Sequence, residues 1–182
     1  LSNAGTPLAA VTIDIDGQPR NATTPDIGAD EFDLMSNDMA ILQLTAPVQT
    51  CGDVAENVSV EIKNIGSATL TSSKISWKVN GVAQPPYYYA GPLTQGNTTQ
   101  ITIGTYTFLS TLPYDIEIYV DSINGGPDQN HINDTIAIAG YRTSLGGTYI
   151  IGTTGDYTSI AAASNDLMSR GVCSPVVFNI QS

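Results

Sequence analysis

Between about residues 38 and 139 apolar side chains recur at every second position. Val58, Val60 and Ile62 share one side of "NVSVEIKN", and Ile75, Trp77 and Val79 share one side of "KISWKVN". Ile101 and Ile103 do so in "TQITIG", and Tyr114, Ile116, Ile118 and Val120 in "YDIEIYV". Ile136 and Ile138 do so in "DTIAIA". Period-two alternation is the mark of half-buried antiparallel strands, because successive side chains in a strand point to opposite faces. The stretches "NIGSAT", "NGVAQPP", "GPLTQGN" and "SINGGPDQNHIND" separate them as turns. With "MAILQL" as a first strand, about six or seven strands fall in roughly a hundred residues, the pattern of an immunoglobulin-like β-sandwich. Trp77 suits this arrangement, since a large ring fills the gap between two sheets.

The flanks read differently. From 146 to 182, "GGTYIIGTTGDYTSI" predicts a short strand and turn, "TSIAAASNDLMSRG" a helix, and "SPVVFNI" an apolar strand. Thr158 or Ser159 is placed to cap the helix and Gly171 to end it, with Ile160, Ala163, Leu167 and Met168 along one face. The sequence stops at that strand without a turn, which reads as part of something longer. From 1 to 34, "AVTIDIDG" predicts a strand too short to bury itself alone. The expected fold class is therefore all-β, with one short α-helix near the C-terminus.

Composition narrows the function. The net charge is −11 with six Lys plus Arg, and no basic patch exists to hold a phosphate backbone, so nucleic acid is excluded as a partner. No apolar run is long enough for a bilayer span, so membrane insertion is not expected. An anionic membrane surface would repel the chain. Residues 1–10 lack the basic region and apolar core of a signal peptide.

Three resemblances add to this. "NAGTP" followed by "DIDGQPRNATTPDIGADEF", over Asn3 to Phe32, resembles the C-terminal end of right-handed parallel β-helix domains of bacterial surface proteins. "VSVEIKNIGSAT", "WKVNG" and "YVDSINGGPDQNHINDT" resemble the CARDB group of adhesion-related immunoglobulin-like domains, over most of 38–140. "GTYIIGTTGDYTSIAAASNDLMSRGVCSPVVFNI" resembles the N-terminal cap of another β-helix, with Ser174 where a Gly is usual. The resemblances imply a sandwich (38–140) flanked by partial β-helix segments (1–34 and 146–182). That order is similar to one repeat of a giant modular protein exported by the type IX route. Its expected partners are neighbouring modules of the same chain, further copies of itself, and a cell-surface or glycan target. Its expected place is the cell surface or beyond.

The densest chemistry lies in "DIDGQPRNATTPDIGADEFD", residues 14–33, with five Asp and one Glu. An EF-hand loop needs acids at its first and twelfth positions. Setting Gly17 as the sixth places Thr12 and Thr23 there, so that motif fails. A looser calcium site on Asp14, Asp16 and Asp30 is the remaining metal reading, and no other cofactor is expected. Asp26, Asp30 and Glu31 supply acids for glycoside cleavage, but nothing else marks a cleft, and only Arg20 is near. The sole histidine, His131, has no nucleophile motif beside it and reads as a loop residue. No catalytic residue is assigned. Tyr87, Tyr88 and Tyr89 either stack on sugars or flank a strand. Asp121-Ser122-Ile123 and Asp134-Thr135-Ile136 resemble short O-glycosylation sites of exported proteins, with Ser122 and Thr135 as acceptors.

Cys51 and Cys173 fit no metal or redox spacing, which leaves one disulfide or two free thiols. With the modules placed, Cys51 follows the first sandwich strand and Cys173 opens the next module. The same pole of the sandwich should carry both, and a bond across the junction is expected in an oxidising exported setting. The expected function is a non-catalytic structural and adhesive repeat. The alternatives are an accessory module of a secreted carbohydrate-active enzyme of polysaccharide-lyase type, or a glycan-binding module.

Overall fold

We describe the chain from a computed structural model that defines residues 4–29 and 35–181. The chain divides into two compact units, Leu1–Ser36 and Asn37–Ser182.

In the first unit, a turn brings Ile13 opposite Pro19. Asp14 N–H donates to the Gln18 carbonyl and Arg20 N–H to that of Thr12, both at 2.9 Å. Gly17 takes φ +81° at the tip, a left-handed conformation that glycine adopts without a Cβ penalty. The Arg20 guanidinium donates to the carbonyls of Gly28 and Asp26 and ties the following loop back to the turn. Leu8, Ile13, Ile15 and Ile27 remain exposed.

The second unit is an immunoglobulin-like sandwich with a strand–helix–strand extension. One sheet is antiparallel and three-stranded, with β1 (Met39–Ala46), β2 (Ala55–Asn64) and β6 (Thr98–Thr107) in the order β1-β2-β6. The other holds β3 (Leu70–Val79), β4 (Val82–Ala83), β5 (Tyr87–Leu93), β7 (Tyr114–Ile123) and β8 (Thr135–Tyr141). Its order is β4-β3-β7-β8, with β5 also pairing β3. The alternating residues meet between the sheets: Val58, Val60, Ile62, Ile75, Trp77, Ile116 and Ile118 are all buried. Trp77 fills the centre, its indole N–H donating to the Pro85 carbonyl at 2.9 Å. Gly104 lies under that ring; a Cβ there would come 2.7 Å from it. Ile136 and Ile138 are only half-buried, because β8 pairs on one side alone.

Asn-Gly pairs set two of the hairpins. Asn80-Gly81 and Asn124-Gly125 both take positive φ at both residues, the type I′ geometry that matches strand twist. The first creates β4, which alternation does not reveal. The stretch "GPLTQGN" is a turn only from Thr94 onward. Gly91 and Pro92 extend β5 to the buried Leu93. Pro92 is tolerated because β5 pairs only with β3, so the missing N–H interrupts no second ladder.

After β8 come β9 (Leu145–Ile151), α1 (Ile160–Arg170) and β10 (Val172–Ile180). Strands β9 and β10 pair in parallel, Thr148 beside Val177 and Tyr149 beside Phe178, and α1 forms the crossover. Ser159 caps α1, its Oγ accepting from Ala162 N–H, and Gly171 ends it with φ +71°. The inner face of α1 differs from the expected one. Ala163 is buried and Leu167 half-buried, but Ile160 is exposed and Met168 is 82% exposed. Asp166 and Arg170 complete the inward face instead.

Candidate functional site

A disulfide and a set of hydrogen bonds join the sandwich to the strand–helix–strand extension. Cys51, in the loop after β1, is disulfide-bonded to Cys173 in β10 with Cα atoms 5.3 Å apart. The loop bends sharply to bring Cys51 there: Gln49, Gly52 and Asp53 all have positive φ. Gly52 also lies against the backbone of Phe108, which a Cβ would approach to 2.4 Å. Gly146 lies beside the bond itself; a Cβ would stand 2.9 Å from Cys173 Sγ and 3.0 Å from Cys51 Sγ. Both positions therefore demand the absence of a side chain.

Arg170 is the second fastening. Its side chain is 7% exposed. Nε donates to the Thr143 carbonyl at 2.7 Å, Nη2 to the Ser110 carbonyl at 2.9 Å, and Nη1 to Asp166 at 2.9 Å. Ser110 belongs to the β6–β7 loop, so one side chain of α1 grips the pole of the sandwich. Ser144 bonds on both sides: its N–H donates to the Thr50 carbonyl and its hydroxyl to the Arg170 carbonyl, each at 2.8 Å. Asp166 also accepts from the Tyr157 hydroxyl at 2.7 Å. Burial pushes the Asp166 carboxyl up, but Tyr157, Arg170 and Arg142 together hold it below the ordinary value of 3.8. Burial, chiefly, raises the Tyr157 phenol, and the carboxylate beside it adds to the effect.

Beyond this junction the parallel pair is incompletely covered. Tyr149, Tyr157 and Phe178 stack within 5.9 Å of one another and are only half-buried. Ile150, Val172, Val177 and Ile180 are exposed.

The residues singled out in the sequence fall as follows. Asp14 is buried, and its Oδ1 accepts from the N–H groups of Asp16 and Gln18 at 3.0 and 2.7 Å, which shapes the turn. Asp16 is exposed. Asp30 and Glu31 lie outside the described residues. Among the described residues no group of three or more His, Cys, Asp or Glu side chains is placed to hold a metal ion. Asp26 is buried. His131 is exposed in the β7–β8 loop, with Nδ1 2.9 Å from Asp134. The three tyrosines do not form one surface: Tyr87 and Tyr89 pack against the core, and Tyr88 alone faces outward, 68% exposed. Ser122 is half-buried within β7. Thr135 is exposed at the start of β8, its hydroxyl donating to Asp134 at 3.0 Å.

Sequence reasoning missed Arg170 as a fastening and the role of the acidic β7–β8 loop. Asp128 and Asp134 of that loop are buried, as is Asp38 just before β1. Asp128 accepts from the N–H groups of Met39 and Asn130, and Asp38 from the side chains of Asn130 and Asn133. These bonds close the loop over the start of β1. Burial, with the charges of Asp38 and Asp134 adding to it, pushes the Asp128 carboxyl above its ordinary value, against the two N–H donors. The signal available in the sequence was the density of Asn between the acids.

No family model and no curated protein matches the chain. Among solved structures it is similar to a domain of a candidate cell surface protein of Methanosarcina acetivorans, at 22% identity and TM-score 0.52. That match covers 61% of this chain and 96% of the other. It is also similar to the CARDB domain of a Pyrococcus furiosus protein in complex with di-metal ions, at 18% identity and TM-score 0.44, covering 60% and 96%. The first of these shares the immunoglobulin-like sandwich. Among the described residues no helix is long and apolar enough to cross a membrane.

Proposed function

We propose that the chain is a non-catalytic structural and adhesive module of an extracellular or cell-surface protein, built to transmit tension along an array. The observation that carries this reading is the position of the disulfide. Cys51 lies just after β1 and Cys173 within β10, so β2 to β9 and α1 all fall inside the 122-residue loop that the bond closes. Tension drawn along the backbone passes from Cys51 to Cys173 through the bond and bypasses β2 to β9 and α1, so that β1 is the one strand of the sandwich left in its path. Arg170 holds the same junction against bending.

The sandwich is then a CARDB-like spacer. The parallel pair β9–β10 is the first layer of a β-helix whose next coil covers Tyr149, Phe178 and the exposed apolar residues, as stacked repeats cover one another. Residues 4–29, with their exposed Leu8, Ile13, Ile15 and Ile27, are the closing coil of another such stack. A disulfide that spans modules suits an oxidising compartment, in keeping with export. The Methanosarcina acetivorans domain, from a candidate cell surface protein, is in keeping with the same setting. Ultracentrifugation with negative-stain imaging of the full chain tests the array. The expected outcome is concentration-dependent linear association; a chain that stays monomeric at millimolar concentration contradicts it.

A further inference from the structure

The two outer faces of the sandwich differ in chemistry. On the β1-β2-β6 sheet the outward cross-strand pairs are polar, Gln43 with Glu61 and Thr45 with Gln100, and the buried Ser59 bonds Thr102. The one aromatic residue of those strands, Tyr106, packs against the core. On the other sheet two tyrosines face outward. Tyr88 of β5 stands opposite Lys74, and Tyr119 of β7 opposite Ser76, so both rings share the face of β3 that carries Lys74 and Lys78. Two strand spacings and a two-residue offset place their Cα atoms about 12 Å apart.

The charges between the rings cancel. Lys74 Nζ lies 2.7 Å from Asp121, and Lys78 Nζ 2.9 Å from Glu117. Lys78 Nζ also sits over the Tyr119 ring, 5.0 Å from its centroid, and covers one face of that half-buried ring, so Tyr88 is the more open of the two.

We propose that this face binds an uncharged polysaccharide chain, with the Tyr88 ring as the main stacking surface and Tyr119 as the second. An open aromatic face suits the C–H face of a sugar. The paired charges offer fixed donors and acceptors to ring hydroxyls without favouring an anion. The face is flat, so it suits an extended chain laid across the strands and not a small sugar needing enclosure. The inference goes beyond the tension-bearing reading and borrows from it only the extracellular setting.

Affinity electrophoresis of the full chain through gels containing neutral polysaccharides (a β-glucan, a xylan, a galactomannan) or an anionic one (alginate) tests it. Retardation by at least one neutral polymer is expected, with tenfold or greater weakening in Tyr88→Ala and a smaller loss in Tyr119→Ala. Tyr88→Phe keeps the ring and is expected to keep the binding. Tyr88 is exposed, so its variants leave the melting temperature within a degree or two, and that measurement separates lost binding from lost fold. Retardation by none of the neutral polymers, by alginate alone, or equally in Tyr88→Ala overturns the proposal. None of these results bears on the disulfide.

Discussion

The guanidinium of Arg170 donates to the backbone carbonyl of Ser110 at 2.9 Å, across sixty residues of sequence. The bond ties α1 to the β6–β7 loop through a side chain that is 7% exposed. Removing it leaves the Ser110 and Thr143 carbonyls short of a donor and the Asp166 carboxylate short of its closest cation. Arg170→Ala should therefore cost about 3–5 kcal/mol, the range for breaking a buried pair. Denaturant unfolding checks this; a loss below about 1 kcal/mol would mean that the network is incidental.

Gly52 carries two constraints at once, φ +74° and a backbone oxygen in the space a Cβ would take. Gly52→Ala should destabilise by about 2–3 kcal/mol from the left-handed conformation and its steric cost. Gly146→Ala should act differently. It crowds the sulfurs, so the expected sign is a slower or incomplete formation of the Cys51–Cys173 bond, read by thiol titration after oxidative refolding.

Gly104→Ala presses a methyl into the Trp77 ring. Overpacking of this kind should cost about 1–3 kcal/mol and shift the tryptophan fluorescence, with the junction untouched. An unchanged emission maximum would contradict the placement of that ring.

Acid should loosen the junction. Asp166 is held below its ordinary value of 3.8, so its folded state binds protons less readily than its unfolded state. Its contribution is present above that value and lost as pH falls through the lower folded one. Asp128 has the opposite sign: its pKa is raised, so its contribution is full below 3.8 and declines as pH rises through the folded value. Asp166→Asn should flatten the fall in stability below pH 4, and Asp128→Asn should not. Urea unfolding across pH 2.5–7 distinguishes them.

Alternation made the sandwich legible. Val58, Val60, Ile62, Ile75, Trp77 and Val79 could be assigned to one interior because period two forces them there. What alternation cannot carry is pairing. Nothing in "YYYAGPL" shows that β5 and β4 share one edge of β3, and nothing local shows that Gly91 and Pro92 stay in a strand. The helix was legible through Ser159 and Gly171, but its inner face was not. A hydrophobic pattern favours Ile160 and Met168, whereas α1 docks on a pole made of carbonyls, where Asp166 and Arg170 bury better than alkyl chains do. For the same reason Arg170 was invisible: its partners are backbone oxygens at 110 and 143, which leave no residue signature.

The central claim is that tension bypasses every strand of the sandwich but β1. Pulling single full-length chains between their termini, oxidised and then reduced, tests it most directly. Oxidised, the segment between Cys51 and Cys173, which stand 122 apart in sequence, is shielded, and the chain should gain only about 200 Å of contour length, from the residues outside the loop. Reduction should add roughly 440 Å at about 3.6 Å per residue, with a further unfolding event from the released sandwich. Full extension of the oxidised chain, or no difference on reduction, would contradict the account.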